Sequence, residues 1–143
     1  MKADLEKAAL RYQSFFRTLT DDSVEEYRHL AAPSVRYRDP LVDAKGIDEA
    51  VAYMHSWFQG MTDLKFEMGA FALAGDIGFQ HWFMIFRIRQ TPKRLWNLEG
   101  MSKFTFDDDG KVIDHVDYWD ASPLLESVPL IGKAVTLTRR MFT

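Results

Sequence analysis

Apolar residues recur at steps of three and four through Leu5, Ala8/Ala9, Tyr12, Phe15/Phe16 and Leu19. That spacing is one buried stripe on a helix and predicts a helix over 3–20. Asp21-Asp22-Ser23 breaks the stripe, and Ser23 with Glu26 has capping-box spacing. A short helix over 23–31 then turns Val24, Tyr27 and Leu30 inward, and Pro33 ends it. A strand over 34–39 follows, then a loop over 40–46 opened by Asp39-Pro40 and closed by Gly46. The third helix, over 47–59, gathers Ile47, Val51, Met54 and Phe58 on one face, with Tyr53 and Trp57 beside it and Gly60 as its stop.

From residue 62 the period changes from helical to extended. Gly75-Asp76, Thr91-Pro92-Lys93 and Asp107-Asp108-Asp109-Gly110 divide the remainder into strands over 62–74, 77–90, 94–107 and 111–120. Runs rich in Phe, Trp, Ile, Val and Thr between such turns predict consecutive antiparallel hairpins. In the strand 77–90, Trp82, Met84, Phe86 and Ile88 make one face wholly apolar, while His81, Phe83, Ile85 and Arg87 make the other largely so. A sheet with one wet face alternates more cleanly. Both faces are therefore expected to be covered, one by the helices and the other by a second copy of the chain. The alternative cover is the C-terminal segment, which Ser122-Pro123 opens and Pro129 and Gly132 interrupt. There Ile131, Ala134/Val135, Thr138 and Met141/Phe142 oppose Lys133, Arg139 and Arg140, and the pattern predicts a packed terminal helix. A lid, a docking helix and a surface-seeking tail are the other readings.

The order of elements gives an α+β class, and 143 residues without a linker or repeat give one domain over 1–143. Aromatic residues at 14% and a net charge of −3 with both signs scattered describe a folded chain without a nucleic-acid footprint. The chain has no cysteine, which excludes disulfide and thiolate chemistry and fits a reducing compartment. The charged start, Met1-Lys2-Ala3-Asp4, lacks an apolar signal core, and no apolar run approaches the roughly 20 residues of a membrane span. A soluble cytoplasmic protein is the expectation.

Three local marks carry a resemblance: the strand ending Tyr37-Arg38-Asp39-Pro40 before Gly46 and a helix, the run Lys103-Phe104-Thr105-Phe106-Asp107-Asp108-Asp109-Gly110-Lys111-Val112, and His115-Val116-Asp117-Tyr118-Trp119-Asp120. With the element order, they resemble the SnoaL-like polyketide cyclase and ketosteroid isomerase-like branch of the nuclear transport factor 2-like superfamily. The resemblance implies a cone: a curved antiparallel sheet wrapped around about three N-terminal helices, with a C-terminal helical segment. It places Asp39 where the isomerases carry a proton-moving carboxylate and Tyr12 where they carry an oxyanion donor. Ser102 falls where they carry a protonated Asp. By similarity to limonene epoxide hydrolases, Asp117 stands at a catalytic Asp position, while His81-Trp82-Phe83-Met84 replaces their Arg-x-Asp.

The residues themselves point to one pocket. Alternation puts Tyr37 with Asp39, places Ile113, His115, Asp117 and Trp119 on one face, and places Trp96, Leu98, Gly100, Ser102, Phe104 and Phe106 on another. The resemblance brings these faces together with His81 and Phe83. Asp39, Asp117, Tyr12 and His115 are then the catalytic candidates. Tyr37, Trp57, His81, Phe83, Ser102, Phe104 and Trp119 are the candidates for contact with a small hydrophobic molecule. A desolvated carboxylate can act as a base near neutral pH, and a tyrosine hydroxyl opposite can stabilise an oxyanion. Each candidate has a structural reading as well: Asp39 closes the Asp-Pro turn, Asp117 pairs with Arg36, Arg38 or Arg87, and the histidines and tryptophans pack. No metal set, phosphate loop or serine nucleophile motif is present in the sequence, so no cofactor is expected. Two functions stand: a cofactor-independent isomerase, cyclase or hydrolase, and a non-catalytic ligand-binding or dimerisation domain.

Overall fold

The structure, a computed structural model, describes residues 2–143. Asp4 caps the first helix, α1 (Leu5–Arg17), by accepting from the amides of Glu6 and Lys7. A six-residue 3₁₀ turn, Asp21–Glu26, follows and runs into α2 (Tyr27–Leu30). Its capping box joins Thr20 to Ser23, not Ser23 to Glu26, because the turn begins three residues earlier than the sequence spacing suggested. Then come β1 (Ala31–Arg38), β2 (Asp43–Lys45) and α3 (Ile47–Gly60). The strand β2 lies within the segment expected to be loop. It pairs antiparallel with β1, bringing Arg36 onto Asp43 in a two-bonded ion pair. Gly46 stands at φ +87° before α3, a backbone conformation that side chains rarely adopt.

The long strands β3 (Met61–Ala74), β4 (Ile77–Ile88), β5 (Thr91–Phe106) and β6 (Val112–Trp119) form the antiparallel run. The sheet order is β2-β1-β6-β5-β4-β3, with β1 parallel to β6. One face carries the helices and the main core, in which Tyr12, Phe16, Val24, Tyr27, Val35 and Phe104 are buried together. Two glycines let the sheet approach its own large side chains: a Cβ on Gly100 would stand 2.3 Å from the Trp82 ring, and one on Gly78 2.3 Å from Phe104.

The cross-strand register corrects two expected faces. Gln80 pairs with Ser102 and Trp82 with Gly100, so the even positions of β4 face the helices. His81 and Phe83 therefore lie on the outer face, paired with Met101 and Glu99. A register shift between Thr105 and Phe106 sends Val112 into the core and leaves Ile113 exposed. The arginines also face outward: Arg38 pairs with Asp114 and Arg87 with Asp63, so none of them reaches Asp117.

The chain ends in α4 (Ser122–Glu126) and α5 (Pro129–Arg140). The expected packing of the terminal helix onto the core is not found. Leu130, Leu137 and Met141 are 80%, 64% and 74% exposed, and α5 is held chiefly to α4, where Arg139 meets Glu126 and Ser122. No described helix is long and apolar enough to cross a membrane.

Candidate functional site

Between the helices and the inner sheet face lies a cavity of about 280 Å³. Its walls are aromatic and thioether side chains, among them Phe16, Trp57, Phe66, Met68, Met84 and Trp119. Of the residues singled out in the sequence, Tyr12, Tyr37, Asp39, Trp57, Ser102, Phe104, His115, Asp117 and Trp119 all line it. His81 and Phe83 do not, since they point to the other side of β4.

The inner polar group is a continuous network. Asp117, 12% exposed, accepts from His115 Nε2 at 2.7 Å and from Ser102 Oγ through Oδ1, and from the Tyr37 hydroxyl at 2.9 Å through Oδ2. Trp82 Nε1 donates to Ser102 Oγ at 2.8 Å, so this serine accepts from the indole and carries its own proton toward the carboxylate. On the other side, His115 Nδ1 lies 2.7 Å from the Tyr12 hydroxyl, which lies 2.8 Å from that of Tyr27. If Nδ1 is bare, Tyr27 donates to Tyr12 and Tyr12 to His115. If Nδ1 carries a proton, it donates to Tyr12 and Tyr12 to Tyr27. In both of these arrangements the Tyr12 proton is held inside the protein; in a third, Tyr27 and a protonated Nδ1 both donate to the Tyr12 oxygen and the Tyr12 proton is free for the cavity.

Electrostatics follow from this arrangement. Burial pushes the Asp117 carboxyl upward, but the charge and hydrogen bond of His115, with those of Ser102 and Tyr37, outweigh it and hold the group below its ordinary value. Tyr12 and Tyr37 are raised well above theirs, first by burial and then by neighbouring tyrosines and Asp117. The network is thus a carboxylate surrounded by protonated donors.

Asp39 forms a separate centre. Its Oδ1 accepts from the amides of Leu41 and Val42, both at 2.8 Å, which closes the Asp-Pro turn; its Oδ2 accepts from the Tyr53 hydroxyl. Burial and the neighbouring carboxylate raise the Tyr53 phenol, which therefore keeps its proton on Asp39. Sequence reasoning missed Gln13, Gln80, Tyr53 and Trp82 as site residues. The hairpin turn falls at Arg89–Gln90, not at the expected Thr91-Pro92-Lys93, and the register shift between Arg87 and Ile88 is what brings Gln80 opposite Ser102 and Trp82 opposite Gly100.

The fold and the site together define a class: an α+β cone whose curved sheet and helices enclose an apolar cavity with a few convergent polar groups. The chain belongs to the SnoaL-like domain family, whose sequence pattern matches residues 12–115. No curated protein sequence matches it. Among solved structures it is similar to a candidate SnoaL-like polyketide cyclase from Jannaschia sp. CCS1, with a TM-score of 0.75 and 17% identity over 89% of this chain and 92% of that one. It is similar also to a ketosteroid isomerase-like protein from Catenulispora acidiphila crystallised with trimethylamine (0.69, 12%, 87% and 92%). A third is an LEH-like epoxide hydrolase from M. tuberculosis (0.69, 11%, 93% and 97%). At such identities these likenesses show the fold, and the fold is the cone expected from the resemblance.

Proposed function

We propose that the protein binds a small hydrophobic molecule inside the cone and acts on it by cofactor-independent acid/base chemistry at Asp39. The observation that carries this reading is the cavity: apolar walls with a carboxylate on the lining whose outer oxygen takes a single donor. Asp39 Oδ2 keeps acceptor capacity for a proton leaving carbon or water, while Oδ1 is fixed by two amides. Isomerisation, cyclisation and epoxide opening are the reaction classes such a base serves. The same reading pairs two copies through the outer sheet face, where Phe79, Met101 and Tyr118 are exposed, and places the protein in the cytoplasm on its lack of cysteine.

A second reading, a non-catalytic ligand-binding domain, is favoured by one observation. The Tyr12 hydroxyl lies within hydrogen-bond distance of both Tyr27 and His115, so the expected electrophilic partner of Asp39 already has two partners inside the protein.

Native mass spectrometry of the purified protein tests binding and assembly together. The expected result is a dimer mass with a small apolar molecule released on denaturation. A ligand-free monomer counts against both. With the released compound as substrate, Asp39→Asn is expected to bind it and not convert it, because one side-chain oxygen suffices to hold the turn. Conversion at the unaltered rate removes Asp39 from the mechanism, and no conversion by either protein leaves the second reading standing.

A further inference from the structure

Gln13 follows Tyr12 on α1 and lines the same cavity. Its Nε2 donates to Gln80 Oε1 at 2.5 Å. The Gln80 side is fixed by the sheet. Gln80 is 4% exposed, and its Nε2 donates to the carbonyls of His81, Gly69 and Ala70 at 2.7, 3.2 and 3.3 Å. Gly69 and Ala70 fall where the β3–β4 register shifts between Met68 and Phe71, so their carbonyls lack a regular ladder partner. Donating to these three carbonyls orients the Gln80 amide one way round, with Oε1 aimed at Gln13.

Gln13 must then present its amide nitrogen to Gln80. Its own Oε1 and second N–H have no hydrogen-bond partner among the described residues. Three other donors of the network near it are spent: Ser102 on Asp117, Trp82 on Ser102 and Tyr37 on Asp117. Gln13 is a held amide edge with spare capacity in an apolar cavity.

We infer that Gln13 reads the ligand: its free amide hydrogen donates to a carbonyl oxygen of the bound molecule, so that the cavity selects an apolar ketone over a hydrocarbon of the same shape. This rests on the binding reading above and is independent of catalysis at Asp39. Gln80 acts as the positioning residue, and the β3 bulge positions Gln80.

The probes are 2-acetylnaphthalene and its near-isostere 2-isopropylnaphthalene, titrated calorimetrically into wild-type protein and Gln13→Met, which keeps the side-chain length. The ratio of ketone to hydrocarbon affinity is expected to fall about five- to tenfold in the variant, the size of one net hydrogen bond, with the hydrocarbon affinity held. Retained hydrocarbon affinity also reports an intact cavity. The infrared carbonyl stretch of the ketone bound to wild-type protein gives a measurement that does not depend on the variant folding. It is expected below its frequency in hydrocarbon solvent and, where Gln13→Met folds, back near that frequency. An unchanged affinity ratio, or a hydrocarbon-like stretch in the wild-type complex, overturns the role of Gln13 and leaves cavity binding standing. If neither probe binds wild-type protein, the binding reading falls and this inference with it.

Discussion

The imidazole of His115 lies against the ring of Tyr37, 4.2 Å between centroids and 11° from parallel, and both side chains donate to Asp117. Stacking fixes the plane of the histidine, and the plane aims Nε2 at the carboxylate and Nδ1 at Tyr12. Tyr37→Phe keeps the stack and deletes one donor to a buried charge. It is expected to destabilise the protein by about 1.5–3 kcal/mol in urea unfolding, with Tyr37→Leu costing more because the stack is lost as well. A Phe variant as stable as wild type would mean that the hydroxyl contributes nothing to the network.

Asp117 makes stability depend on acid. Its carboxyl is held below its ordinary value of 3.8 in the folded protein, so the unfolded chain binds the proton first. The contribution is complete above about pH 5 and fades as pH falls through the folded value, below 3.8. Asp117→Asn is expected to be less stable at neutral pH and to lose less on acidification. Parallel pH–stability curves for the two proteins would show that Asp117 is not the group responsible.

Much of this was legible in the sequence, and the part that was not has a definite cause. The helical stripes located α1 and α3, and Gly75-Asp76 and Asp107 to Gly110 fell between strands as expected, because period and turn chemistry are local, whereas Thr91-Pro92-Lys93 lies inside β5. The three-residue β2 was missed because its pairing with β1 comes from tertiary packing rather than local propensity. Asp39, Asp117, Tyr12 and His115 line the cavity. Their hydrogen bonds were not legible, since Tyr12 and His115 lie 103 positions apart. His81 and Phe83 were assigned to the wrong face by analogy, because the register shift beside Ile88 that sets Gln80 opposite Ser102 is not marked in the sequence.

The Trp82 indole occupies the space above Gly100, and a methyl group there would stand 2.3 Å from two ring atoms. Gly100→Ala is expected to cost about 1–3 kcal/mol by overpacking and to disturb the Trp82 bond to Ser102. Trp82 fluorescence and urea unfolding read the two effects separately. An alanine variant of wild-type stability would mean that the sheet yields locally.

The exposed faces of α5 carry a prediction about motion. Phe142 is 84% exposed, and α5 is anchored chiefly through Arg139 to α4. In the isolated monomer its amides are expected to exchange with deuterium well before those of β4 and β5. Equal protection would reveal a partner seated on the helix.

The parallel pairing of β1 with β6 joins the first strand to the last. On the ribosome, α1 and β1 emerge long before the segment that supplies His115 and Asp117, and the chain lengthens by only about 5–20 residues each second. Until β3 and β5 follow, the apolar stripe of α1 has no floor to close on, which makes the nascent chain a natural client for chaperones. A message cut short before β6 yields no weakened version of the site. It yields an open cone without the Asp117–His115 centre.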